Sequence, residues 1–166
     1  MIHIILYHPE IPQNTGNILR TAMATKSKVH IIGPIPFDIS DKALKRAGMD
    51  YIKDADFDYY DSYESFLRDF SEKDIYYVTK YGMHLYSENL FEDVLHDVYI
   101  MFGRESTGID KEILSKNKEK TLRIPMLSTA RSLNLSNAVA IVTYEVLRQQ
   151  KFPGLATFDM IKKYTI

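Results

Sequence analysis

The stretch Ile2–Lys26, IHIILYHPEIPQNTGNILRTAMATK, decides how the rest of the chain is read. Its opening run, IHIILY, is apolar at nearly every position rather than at every second one. A strand with that pattern is covered on both faces, as in a parallel sheet flanked by helices. A polar loop, HPEIPQNTG, follows, and helical spacing then runs over about residues 14–26. One strand feeding one helix is the first half of a βαβ unit.

Outward from that stretch the same alternation recurs. Strand-like runs lie at VHIIG (29–33), IYYVT (75–79), VYIMFG (98–103) and TLRIP (121–125). Helical patterns fall near 41–48, 62–70, 109–117 and 135–150. Strand and helix in alternation predict an α/β fold, a mostly parallel sheet with helices on both faces. In the last helix Leu135, Val139, Val142 and Val146 make one apolar stripe, which Ala138, Ile141 and Leu147 widen. A helix apolar on more than one side is expected to meet a second surface, such as another subunit. The chain shows no internal repeat, low-complexity tract or linker. Its end, from Gly154 to Ile166, reads as a tail over the surface or on a partner, leaving 1–153 as one domain.

With 166 residues, 45% hydrophobic and 26% charged, the chain can bury the core of one globular domain. No apolar run reaches the length of a membrane span, and the first residues lack the pattern of a signal peptide. The sequence contains no cysteine, which excludes disulfides and a cysteine nucleophile and suits a cytoplasmic protein. The five histidines show no ligand spacing, so no metal is expected. A net charge of −1 argues against non-specific coating of nucleic acid, DNA included. The charge is uneven, however. Asp50–Glu64 carries six acids against one lysine and reads as solvated surface. Just before it, Lys42, Lys45 and Arg46 at helical spacing form a basic face open to a polyanion.

A parallel sheet takes its ligands at the carboxyl ends of its strands, so the loops after the strands matter most. The first, HPEIPQNTGNILRTA, fits neither the dinucleotide fingerprint nor the phosphate loop of nucleoside-triphosphate enzymes. Asn14 reads as a helix cap, and Arg20 either as a surface arginine or as a group sharing one cleft with Asn14. In FGRESTGID, Gly103 and Gly108 bracket Arg104, Glu105, Ser106 and Thr107. Glu105 there either pairs with a neighbouring arginine or joins a site, and Asp110 either starts the next helix or does the same. The third loop, IPMLSTARSLNLSN (124–137), crowds Arg131, Ser132 and Asn134 in front of the last helix. Three such loops carry more polar groups than helix capping needs, and a convergent site is the better reading.

Taken together, PEIPQNTGNILRTA, DKALKRAGMDY, FGRESTGI and IPMLSTARSLNLSNAVAIVTYEVLRQ resemble, in order, the signature blocks of the SPOUT family of RNA methyltransferases. The nearest resemblance is to its minimal tRNA 2′-O-methyltransferases, which act on the wobble cytidine or uridine of the anticodon loop. It covers about residues 2–153, with no added RNA-binding domain. The resemblance implies a C-terminal deep trefoil knot, S-adenosylmethionine as methyl donor, and a homodimer. It implies cofactor contacts at Val78, Thr79, Gly103, Ile124, Ser132 and Leu133. Asn14, Arg20, Glu105 and Asn134 then correspond to the family's catalytic set. Arg131, with Lys42, Lys45 and Arg46, becomes the candidate for the phosphates of a tRNA anticodon stem-loop. Arg104 departs from the proline that many members carry. Two other readings remain open: an RNA-binding or assembly module without catalysis, and a 2′-O-methyltransferase for another RNA such as a ribosomal one.

Overall fold

The computed structural model describes residues 1–39, 55–88, 91 and 93–158. Within them the strands are β1 (Ile2–Tyr7), β2 (Lys28–Ile32), β3 (Phe57–Tyr60), β4 (Ile75–Val78), β5 (His84–Leu85), β6 (Val98–Phe102) and β7 (Thr121–Arg123). The helices are α1 (Pro12–Thr25), α2 (Tyr63–Phe70), α3 (Lys111–Lys116) and α4 (Leu135–Gln149), with a 3₁₀ turn at Lys118–Lys120. The sheet runs β3-β2-β1-β6-β4-β7-β5, and every neighbouring pair is parallel.

The two central strands are buried along their whole length, as their unalternating apolar sequences require. Alternate side chains then serve opposite cores. Ile2, Ile4 and Leu6 pack with Ile18 and Leu19 of α1 and with Val139, Val142 and Val146 of α4. Ile5 and Tyr7 pack on the other face with Phe66 of α2, Met101 and Ile109, against which Ile113 and Leu114 of α3 rest. The expected α/β sheet with helices on both faces is therefore present.

Two strands escaped the sequence reading. β3 lies inside the acidic run taken for solvated surface. Its Asp58 and the adjacent Asp56 pair with Lys28, while Tyr60 turns inward beside Phe66. β5 is two residues long, too short to leave a pattern. The expected helix near 41–48, with Lys42, Lys45 and Arg46, lies outside the described residues, as does the tail beyond 158.

The order of strands prepares the site. β1, β6, β4 and β7 are adjacent, and Leu6 and Val78 both align with Phe102, while Val78 aligns with Leu122. Their carboxyl ends are level, so the loops that leave them converge on one edge of the sheet. β7, late in the chain, sits between β4 and β5, so the 79–83 connection must cross its end. Gly82 makes that crossing possible: a Cβ there would lie 2.4 Å from the Leu122 carbonyl carbon.

Candidate active site

The converging loops enclose a cavity of about 720 Å³. Asn14, Glu105 and Asn134 line it, and so do Val78, Thr79, Gly103, Ile124, Ser132 and Leu133. Arg131 stands on the same wall. These residues come from four separate segments of the chain, and the fold brings all of them to one place. Lys80, Tyr81 and Met126 also line it and were missed, since nothing in their sequence spacing marks them. Among the described residues, no cluster of three histidine or carboxylate groups could hold a metal ion.

Three of the polar residues form a chain of hydrogen bonds. The Asn134 amide donates to the Asn14 side-chain oxygen at 2.9 Å. The Asn14 amide in turn donates to the Glu105 carboxylate, also at 2.9 Å. Asn14 is buried, so both ends of its amide need the partners they have. Glu105 further accepts the backbone N–H groups of Glu10 at 2.8 Å and Ile11 at 3.2 Å. No arginine pairs with it in these contacts.

The role of Asn14 differs from the expected cap. α1 begins at Pro12, two residues earlier than its apolar spacing suggested, and Asn14 lies inside the first turn. The residue at the cap position, Ile11, has no side chain able to accept a hydrogen bond. Glu105, from a different loop, instead accepts the N–H groups of Glu10 and Ile11 just ahead of the helix, placing negative charge near the positive end of the α1 dipole. Asn134 does cap its own helix: its side-chain oxygen accepts from the backbone of Ser136 and Asn137.

The loop that carries Glu105 is braced on both sides. Gly103 packs so closely on Gly108 that a Cβ would come within 2.2 Å of its carbonyl carbon. Arg104 and Gly108 exchange backbone hydrogen bonds. The Arg104 guanidinium donates to Asp110 at 3.2 Å and lies 5.1 Å over the Tyr7 ring. Tyr7 donates its hydroxyl to the same aspartate, and burial, reinforced by this bond, pushes the phenol well above its ordinary range. Asp110 thus ties the loop down as well as preceding α3.

Arg20 is elsewhere. With Asn17, Thr21, Asn137 and Tyr144 it lines a second groove, of about 370 Å³, on the outer side of α1 and α4. Within one chain Arg20 and Asn14 therefore do not share a cleft. Ile141 and Tyr144 are exposed on that same side of α4, while Leu135, Val139, Val142 and Val146 are buried.

Residues 1–144 match the model of the SpoU rRNA methylase family. The chain belongs to the SpoU methylase family. A protein of Geobacillus stearothermophilus, provisionally named a tRNA (cytidine(34)-2′-O)-methyltransferase, is 47% identical over 93% of this chain and 99% of its own. The Escherichia coli K12 tRNA (cytidine(34)-2′-O)-methyltransferase is 40% identical over 96% of this chain and all of its own. A solved structure described as giving insights into 2′-OH methylation of C/U34 on tRNA superimposes with a TM-score of 0.81. It is 39% identical and covers 91% of this chain and 97% of that one. The resemblance carried by the four sequence blocks is thereby confirmed at the level of the family.

Proposed function

We propose that this chain transfers a methyl group from S-adenosylmethionine to the ribose 2′-hydroxyl of the wobble cytidine or uridine in a tRNA anticodon loop. The observation that carries the reading is the Asn134–Asn14–Glu105 chain at the wall of one cavity, in a member of the SpoU methylase family. Relatives matched over nearly their whole length bear names of that activity.

The cavity suits the donor. About 720 Å³ lies within the usual range for cofactor-sized ligands. Val78, Ile124 and Leu133 offer apolar surface to an adenosyl group, and Thr79, Gly103 and Ser132 add backbone and hydroxyl groups. Bound there, S-adenosylmethionine supplies an electrophilic methyl on a sulfonium. The chain's own task is then positioning, because the displacement needs the 2′-oxygen in line with the methyl group and a route by which the hydroxyl proton leaves to solvent. Asn14, held from both sides, and Glu105, holding the start of α1, fix the floor on which the acceptor ribose rests. Arg131 meets RNA phosphate at the rim.

Arg20 enters through a second subunit. The reading makes the protein a homodimer that packs the α1–α4 face against its twin, covering Ile141 and Tyr144 and bringing Arg20 of one copy to the RNA bound on the other. A guanidinium keeps its proton at neutral pH, so Arg20 holds the phosphate and the 2′-oxygen rather than taking the proton. The reading also includes the trefoil knot, with the segment after β7 threaded beneath the 79–83 crossing. A single-stranded anticodon nucleotide presents both a splayed base and a 2′-hydroxyl, which DNA lacks.

The test is mass spectrometry of tRNA nucleosides from cells with and without the gene. Loss of 2′-O-methylcytidine or 2′-O-methyluridine at position 34 alone is the expected result. Unchanged tRNA with a missing ribosomal 2′-O-methyl group would favour the other RNA.

A further inference from the structure

We infer that Glu10 is a positioning residue for methyl transfer, acting through Glu105. This rests on the activity proposed above. Glu10 lies in the β1–α1 loop, outside the polar set that the sequence singled out, yet it faces the Glu105 loop directly. One of its carboxylate oxygens accepts the Ser106 backbone N–H at 2.9 Å, and the other accepts the Ser106 hydroxyl at 2.8 Å. In the opposite direction, the Glu10 backbone N–H donates to Glu105 at 2.8 Å. Two glutamates 95 residues apart thus each accept a backbone N–H from the other's loop.

The clasp has a geometric consequence. The Glu105 loop is a tight turn between β6 and α3, its backbone closed on itself by the Arg104–Gly108 pair. That pair sets the turn's shape but not its tilt relative to α1. Arg104 anchors the turn on the Tyr7–Asp110 side. Ser106, bound by Glu10, anchors it on the α1 side, so the intervening Glu105 has little freedom of direction. Its carboxylate then meets Asn14 at a fixed point, and Asn14 fixes Asn134. Ionised carboxylates accept from N–H and O–H groups with stronger, shorter bonds than neutral oxygens do. A loop residue with both oxygens engaged by one serine is built for holding. Displacements of about 1 Å at a reacting centre cost up to roughly a hundredfold in rate, which sets the scale of the effect.

The experiment compares purified wild type, Glu10→Ala, Glu10→Gln and Glu105→Gln on tRNA with S-adenosylmethionine. Glu10→Ala is expected to lower kcat between about tenfold and a hundredfold, with cofactor affinity within about threefold and little change in Tm. Glu10→Gln keeps one accepting oxygen and should recover part of the loss. If Glu10 acts through Glu105, adding Glu10→Ala to Glu105→Gln lowers kcat little further, because the two losses share one cause. A Glu10→Ala enzyme with wild-type kcat would overturn the inference, as would losses that multiply in the double variant. Should Glu10→Ala fail to fold, Glu10→Gln with wild-type kcat would overturn it equally. A wild type inactive on tRNA would overturn the activity itself, and with it any part for Glu10.

Discussion

Asn14 shows how much one amide can carry. It donates to Glu105 and accepts from Asn134, and as a buried amide it needs both partners. Asn14→Asp keeps the shape and removes the donor, setting one carboxylate against another. The expected outcome is a loss of about 1–3 kcal/mol of stability in urea unfolding, with methyl transfer abolished. Wild-type stability at neutral pH would mean that the Asn14–Glu105 bond contributes nothing. Arg20 predicts the opposite division. Arg20→Ala should leave Tm and cofactor binding nearly intact while abolishing transfer, and an unchanged turnover number would remove Arg20 from the site.

Among the elements, α4 joins two tasks at its first turn. Asn134 caps the helix through its oxygen and reaches Asn14 through its nitrogen. Asn134→Asp preserves the cap and loses the second bond, whereas Asn134→Ala loses both. The alanine variant should therefore be about 1 kcal/mol less stable than the aspartate one, as caps usually cost. Both should lose activity, and an active aspartate variant would reduce Asn134 to a cap. The strands most legible in the sequence are those buried on both faces, β1 and β6, because a short apolar run without alternation suits a strand covered on both sides. β3 was hidden because an edge strand tolerates acids that a central strand rejects, and Asp56 and Asp58 made it look like surface. The start of α1 was misjudged because Pro12 opens the helix before its apolar spacing begins. Ile11 gives no capping signal, and its acceptor, Glu105, is 94 residues away. Three of the four cavity-forming segments were legible as polar loops after strands, while the one at Val78 and Thr79 was implied only by the family resemblance. The separation of Asn14 from Arg20 was not, since it depends on how α1 is rolled against α4.

Across the whole molecule, the end of the sheet opposite the site carries a different kind of network. His3 and His30, on neighbouring strands, are buried with ring nitrogens 2.9 Å apart, and His30 also meets the Tyr60 hydroxyl. Burial, with His3 adding to it, pushes His30 down to about 4, and burial lowers His3 as well. Both rings are therefore held neutral in the folded protein, while the unfolded chain takes up protons near its ordinary value of about 6.5. Their contribution to stability is complete above pH 6.5 and is lost as pH falls toward 4. The urea midpoint should be level from pH 8 to 7 and fall between 6.5 and 4.5, before most carboxylates titrate. A midpoint that stays constant across that interval would contradict the buried pair.

The central claim is that the cavity delivers a methyl group to one ribose oxygen. It is tested most directly with purified protein, isotopically labelled S-adenosylmethionine and two anticodon stem-loops that differ only at nucleotide 34, ribose in one and 2′-deoxyribose in the other. Label should enter the ribose form alone and appear, after nuclease digestion, as the 2′-O-methyl nucleoside from position 34. Equal labelling of both, or label on a base, would contradict the account.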